Sequence, residues 1–391
     1  MKVLDIAHRT QIRNLRVSGS LDLSFFKVRT MQKNDTIVNS ISVKKLIETW
    51  KKRYVIDLSM ASLQEIRLSV PEIIELTSKD GRAKTAIKLQ RIIRINSEVA
   101  GIKTDVLFSY IPNVVNLSET QRLDQIILKV YDKMIEIYQQ QLSYPNLQDQ
   151  LYQPFFRLGN RFRESDRLLV EFPPIEQLAT GIQPILQELF DEHKSTSNPR
   201  ALGFLSTQFH FTTELLTKRL TPGEQFLLTP YFNFIEEQVC IPFQRVCYAA
   251  DRHNIGSPSL SIVEQLLPVS RDIAVNVYNQ AVELYPNHHS RRGKLNHSGV
   301  MASTLRDLEM LQVYLWLCVL EENMTAIEKE LIPLCIMVFP SVEVTWNLVK
   351  QMLKLLLEEI LVRVEPNRQS ILLPYTQTMQ QIFSNIDRKL S

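Results

Sequence analysis

Apolar residues in this chain recur at steps of three and four, and that spacing restricts the fold more than any other feature. Leu123, Ile127, Val130, Met134 and Ile137 draw one stripe of this kind. Ile273, Val277, Ala281 and Leu284 draw a second, which stops at Tyr285-Pro286. Trp346, Val349, Leu353, Leu356, Ile360 and Val364 draw a third, which stops at Glu365-Pro366. A stripe of this period follows one face of an α-helix, whereas a half-buried strand needs a period of two. Glycine supplies only 10 of 391 residues, and Leu, Gln, Glu and Lys recur throughout. The expected fold class is therefore mainly α.

Organisation follows from shifts in composition. Residues 1–60 hold twelve Lys/Arg against five Asp/Glu. Within them Leu15–Val17 and Leu21–Val28, separated by Ser18-Gly19-Ser20, fit a hairpin, so this basic segment is the one place where strands are expected. Ser42 then suits the cap of a short helix from Val43 to about Tyr54. Residues 61–200 read as a helical region of no assignable family, in which Ser118 and Gln121 form a capping-box pattern. The polar stretch His193–Arg200 reads as a linker, which places a C-terminal helical domain at 201–391. No internal repeat argues for a solenoid.

Most chemical signatures are missing. The chain has no GxxxxGK[ST], GxGxxG, HExxH or GxSxG pattern, so no catalytic residues are expected. Cys240, Cys247, Cys318 and Cys335 sit in apolar surroundings without a CxxC pair and read as buried thiols of a reducing compartment. Pro242 separates the first two, and no further ligands suggest a metal. His288 and His289 lie in the loop NHHSRRGKLNH, which reads as a solvated basic loop rather than a zinc site. The start MKVLDIAHRT lacks a signal-like apolar stretch, and no run of 18 apolar residues occurs, so a cytoplasmic, soluble protein is expected. The basic N-terminal segment reads either as a solvated face or as a dock for an anionic membrane or acidic protein. Sparse aromatics and the absence of any known DNA-binding spacing argue against nucleic acid.

One stretch is more specific. Met301-Ala302-Ser303-Thr304-Leu305-Arg306-Asp307-Leu308-Glu309-Met310 resembles the phycobiliprotein motif M-A-A-C-L-R-D-M-E-I. Thr304 follows Pro286 by eighteen residues, an interval similar to that family's. Thr325-Ala326-Ile327-Glu328 and Phe339-Pro340-Ser341-Val342 resemble its next two landmarks in order, and Ile371 to about Ile386 takes the place of its closing helix. The resemblance covers roughly residues 205–390. It implies a globin-like helical domain of a light-harvesting protein, cyanobacterial in type. In that family the cysteine carries a bilin through a thioether, the arginine pairs with a propionate, and the aspartate accepts from pyrrole N–H groups.

Departures from the pattern shape the functional expectation. Thr304 stands where the thiol belongs, and a hydroxyl cannot form that thioether. Glu321-Glu322-Asn323 replaces the glycines usual after the motif helix, and Tyr314-Leu315-Trp316-Leu317 makes that helix bulky. The resemblance therefore implies a non-enzymatic protein of antenna assembly, docking or regulation, with phycobiliprotein-like or other photosynthetic proteins as partners. It would sit in the cytoplasm or at the cytoplasmic face of a thylakoid, with no resident cofactor. The alternative is a sensor or carrier that holds a bilin or other tetrapyrrole non-covalently. For that role Arg306, Asp307 and Thr304 would meet the ligand, with His288, Arg291 and their neighbours His289 and Arg292 near its propionates. Against this stands a plainer reading in which Arg306 and Asp307 form a salt bridge or helix cap. Leu220-Thr221-Pro222-Gly223-Glu224 opens the segment that corresponds by position to the family's subunit-contacting helices. Its Tyr231, Phe232, Phe234 and Phe243 are candidates either for an interface or for the chain's own core. Pro230 and Pro242 are expected to break or kink it.

Overall fold

In a computed structural model of the chain, residues 40–109, 117–141, 147–149, 151, 168–171, 175–196 and 201–390 are described. The stretches expected to form an N-terminal hairpin lie outside them, as do residues 197–200 of the expected linker.

Fifteen α-helices and four short strands make up the described residues, so the chain is mainly helical. The first helix, α1 (Ile41–Lys51), is capped by Ser40, whose hydroxyl accepts from the Val43 N–H at 3.3 Å. Ser42, the expected cap, instead lies buried inside the helix. With the cap at Ser40, Ser42, Val43, Leu46 and Trp50 lie buried within the helix. A 3₁₀ turn (Lys52–Tyr54) leads into β1 (Val55–Asp57), which pairs antiparallel with β2 (Leu169–Glu171) in the register Ile56 opposite Val170. A short helix α2 (Met60–Glu65) precedes α3 (Val70–Thr77) and α4 (Lys79–Leu107), which start at the caps Ser59, Ser69 and Ser78.

The corner between α3 and α4 requires a glycine. A Cβ on Gly81 would sit 2.0 Å from the Glu75 carbonyl oxygen, so only a residue without one lets the two helices meet this closely. α4 then runs 29 residues, about 44 Å at the usual rise. It packs against α5 (Leu117–Gln140) and α7 (Ala201–Thr217), while α5 also packs on α6 (Ile175–Thr196). All five residues of the expected α5 stripe, Leu123 to Ile137, are buried. The helix begins at Leu117, so Ser118 lies within its first turn rather than ahead of it.

Thr221 caps α8 (Pro222–Cys240) through a capping box with Glu224, with Pro222 in the first turn. Pro230 stays inside α8, and only Pro242 ends a helix, so that α9 (Phe243–Asp251) starts afresh. Then come α10 (Pro258–Leu266), α11 (Ser270–Leu284) and a two-stranded ribbon, β3 (His289–Ser290) with β4 (Gly293–Lys294). Ile273, Val277 and Ala281 are buried as the stripe requires, but Leu284 is 56% exposed because α11 ends there. Gly293 closes the ribbon at φ +123°, a conformation side chains resist.

Next comes α12 (Ser298–Glu321), buried without a break from Leu308 to Leu320. It contacts α9, α11 and α15 (Pro366–Leu390) and the π-turn Ile327–Leu331 that precedes α13 (Ile332–Ser341). α14 (Trp346–Arg363), capped by Thr345, packs on α11 and α15. Its expected face, Val349 to Ile360, is buried. At the end of α12 the missing glycine has a visible consequence. Glu322 itself takes the left-handed conformation at φ 55° and donates its N–H to Cys318, a position glycine fills without strain. Buried apolar residues from Val43 to Ile386 belong to one core, which crosses from α4 and α5 to α7 without a gap. No described helix is long and apolar enough to cross a membrane.

Candidate functional site

The motif segment enters α12 through the His289–Lys294 ribbon. The Tyr278 hydroxyl donates to Leu295 O at 2.9 Å and ties that loop to α11. His297 caps α12, its Nδ1 accepting from the Gly299 N–H at 3.3 Å. The first turns of α12 therefore carry Thr304, Arg306 and Asp307 on a helix whose start is fixed at both ends of the loop.

Arg306 and Asp307 are occupied. Arg306 Nη1 donates to Glu236 Oε2 of α8 at 2.9 Å, and its Nη2 donates to Asp307 Oδ1 at 3.4 Å. Glu236 Oε2 also meets His210 Nδ1 of α7 at 3.1 Å, and His210 Nε2 lies 2.7 Å from Arg292 Nη1. A guanidinium only donates, so His210 Nε2 accepts from Arg292, and Nδ1 is left to donate to Glu236. The result is a chain of contacts, Arg292–His210–Glu236–Arg306–Asp307, that links the ribbon, α7, α8 and α12. Burial alone would push the Glu236 carboxyl up. The contacts from His210, Arg306 and Thr213 outweigh it and hold the group down at about 2. Burial pushes Asp307 up against the pull of Arg306.

The neighbouring Glu237 turns to a second network. Tyr54 donates to its Oε2 at 2.6 Å, and Arg53 Nη2 donates to its Oε1 at 3.4 Å. Arg53 also forms a two-pronged pair with Glu309 of the motif, at 3.2 and 2.6 Å. Arg271 reaches the same Glu309 carboxylate at 3.3 Å. Arg53 lies 4.0 Å above the Trp50 ring, and Trp50 stacks on Phe243 at 4.2 Å. Glu309 is 1% exposed. Losing one partner of a buried pair like this costs about 3–5 kcal/mol, since the other charge stays behind unpaired.

Beyond Asp307 the helix closes. Every residue from Leu308 to Leu320 is buried, with Trp316 completely so. Apart from Glu309 and Gln312 this stretch is apolar on every side, which makes it a core element. The expected site residues separate accordingly. Thr304 is half-buried on α12, beside Arg306 and Asp307 in sequence. Arg291 is exposed and turns to Val342 O and Glu343. His288 is half-buried with Nε2 enclosed and unpartnered, and burial with His289 nearby lowers its pKa. No described hydrogen bond or ion pair brings His288 or Arg291 to Arg306 or Asp307, whereas Arg292 is joined to them through His210 and Glu236.

The four aromatics offered for an interface lie inside the molecule, none more than 6% exposed. Tyr231 bonds to the Gln141 side chain and packs edge-on against Tyr138. Phe232 meets Tyr131, Phe234 meets Tyr54, and Phe243 stacks on Trp50. As placed, they join α8 and α9 to the rest of the chain and offer no surface to a partner. Each has a neighbour from residues 40–141, which the sequence had no means to reveal.

The four cysteines are free and buried. Burial pushes the thiols of Cys240, Cys247 and Cys318 up to about 12, so they stay protonated at neutral pH. Among the described residues no group of three His, Cys, Asp or Glu is placed to hold a metal. A groove of about 220 Å³ between α14 and α15, bordered by Lys350, Leu353, Gln380 and Phe383, is smaller than usual ligand pockets. Sequence reasoning missed His210, Glu236, Glu237 and Arg53. Glu309 lay within the motif, and Glu236-Glu237 interrupts an otherwise apolar run, which was the one available signal.

No family model matches the chain, and neither a curated protein nor a solved structure matches it.

Proposed function

We propose that the chain is a non-enzymatic interaction protein of a photosynthetic light-harvesting apparatus, built on a phycobiliprotein-like helical segment that carries no covalent bilin. The observation that carries this reading is the state of the motif helix. Arg306 and Asp307 are engaged with Glu236 and with each other, Glu309 is engaged with Arg53, and the helix beyond is wrapped in side chains. A motif of pigment-holding type that serves internal ion pairs supports a helical segment used for docking rather than for holding a bilin. Its partners would be phycobiliprotein-like or other photosynthetic proteins, met in the cytoplasm or at the cytoplasmic face of a thylakoid. The basic residues 1–60 would supply a second attachment to an anionic membrane or acidic protein.

The test is affinity purification of the tagged full chain from a photosynthetic host. Co-elution of light-harvesting subunits over a mock control supports the reading; their absence from the eluate counts against it. The alternative, a non-covalent bilin or tetrapyrrole carrier, rests on the enclosed, unpartnered nitrogens Arg306 Nε and His288 Nε2. Incubation with a bilin followed by desalting decides it. Retained visible absorbance that Asp307→Ala abolishes would favour the carrier, and a colourless protein would remove it.

A further inference from the structure

Helix α4 carries an apolar stripe that nothing in the described chain covers. Ile95, Val99, Ile102 and Val106 are 64%, 37%, 63% and 69% exposed, and the half-buried Ile92 extends the row by one step. Their spacing from residue 92 is three, four, three and four, the a/d seam of a heptad repeat. The opposite face of the same helix, including Ser97, Ala100, Gly101 and Thr104, is buried against α5 and α7. Soluble monomers seldom leave a continuous row of large β-branched side chains in water. The seam is about 21 Å long.

Charges along the seam identify its occupant. With Ile92, Val99 and Val106 as a positions, Arg91, Glu98 and Asp105 are the g positions and Lys103 is an e position, and all four are exposed. The acidic pair lies on the α5 edge, where both act on Asp124. Lys103 lies on the α7 edge, 5.4 Å above the Phe211 ring. In two parallel helices a g residue meets the e residue five positions on in its partner, so Glu98 of one copy faces Lys103 of the other, twice by symmetry. An antiparallel pairing of Ile95 through Val106 would set Glu98 against Asp105, twice by symmetry, with Arg91 beyond the paired layers. Because Asn96 at the preceding e position is buried, the open seam is narrow and suits two strands.

We propose that α4 pairs in parallel with α4 of a second copy of this chain, along Ile92, Ile95, Val99, Ile102 and Val106, with Glu98–Lys103 bridges on both sides. This homodimer is a surface separate from the motif helix and does not depend on the identity of any other partner.

Sedimentation of the full chain tests it. At ~10 µM, a concentration that populates a dimer of micromolar affinity or better, the expected mass is twice the 45.4 kDa of one chain. Ile102→Lys should weaken association more than tenfold while leaving the helical circular dichroism unchanged. Glu98→Lys should weaken it about threefold to tenfold, and adding Lys103→Glu should restore it, since the swapped charges face each other again. A native chain that stays monomeric at that concentration overturns the proposal, whether residues 1–39 or another protein meets the seam. An Ile102→Lys dimer as tight as the native one, or a double charge swap weaker than the single one, overturns it as well.

Discussion

Helices α4 and α12 are the informative pair in this molecule. Both are long, 29 and 24 residues, and both carry large apolar side chains along their length. α12 is enclosed on every side from Leu308 to Leu320; of its charges, Arg306, Asp307 and Glu309 find partners from α8, the 3₁₀ turn before β1 and one another, and Glu321 at its far end meets Arg245. α4 is enclosed on one side only and presents Ile95, Val99, Ile102 and Val106 to solvent. Three-four periodicity thus announces that a helix has an apolar face. Whether the cover for that face comes from the same chain depends on tertiary packing, which the periodicity does not encode.

The contrast is broken most severely at Trp316. Its side chain is fully enclosed at the centre of α12, so Trp316→Ala should cost about 3–5 kcal/mol in urea unfolding through lost burial and the cavity left behind. If α12 instead lined vacant room for a pigment, the neighbours would already lack contacts and the loss would be small. A cost under about 1 kcal/mol would therefore contradict the enclosed helix.

Two carboxylates sharpen the comparison by responding to pH in opposite directions. Glu236, at the entry of α12, is held down at about 2 although burial opposes it. A depressed carboxyl contributes its full stability above its ordinary value near 4.5 and loses it as pH falls toward 2. Glu236→Gln should then cost roughly 2–3 kcal/mol at pH 7, and the gap to the native chain should close between pH 4.5 and 2. Asp124, beside the α4 seam, behaves conversely. Burial raises it to about 6; the hydrogen bond from Gln208 opposes that, while Asp105 and Glu98 add to it. A raised carboxyl costs stability above its folded value, and the cost fades as pH drops from 6 toward 3.8. Asparagine keeps the acceptor for Gln208 and removes the charge. Asp124→Asn should stabilise by roughly 1 kcal/mol at pH 8, discounted because the group is half-exposed, and by nothing near pH 4. A variant equally stabilised at both pH values would show that charge is not the cause.

Much of the framework was legible in the sequence, and the losses have identifiable causes. The α5 stripe lies buried where periodicity put it, the α14 stripe does so from Val349 onward with Trp346 half-buried, and Thr221-Pro222-Gly223-Glu224 opens α8 as a capping box. These are local signals, decided within a turn or two. Leu284 failed because it falls at the last residue of α11, where the helix leaves the core. Pro230 was expected to disrupt α8, yet the surrounding packing carries the helix through it, while Pro242 does end it. At the site, Arg306 and Asp307 were identified as a charged pair with two readings. Glu236 and His210 lie 70 and 96 residues from Arg306, Arg53 lies 256 residues from its partner Glu309, and nothing local marks them as partners. The α4 seam was equally hidden, since its residues follow the same period as a core face.

The smallest expected effect is the one that distinguishes the two helices most cleanly. Ile102→Lys replaces an exposed side chain, so in dilute protein, where each copy stands alone, the unfolding free energy should move by no more than about 0.5 kcal/mol. Association stabilises the folded state by mass action. The native chain should therefore gain stability between ~0.1 and ~20 µM, and the variant should not. A cost of several kcal/mol already present in dilute protein would mean that the chain covers α4 with its own residues. The two helices would then differ in nothing but how far along the sequence their cover lies.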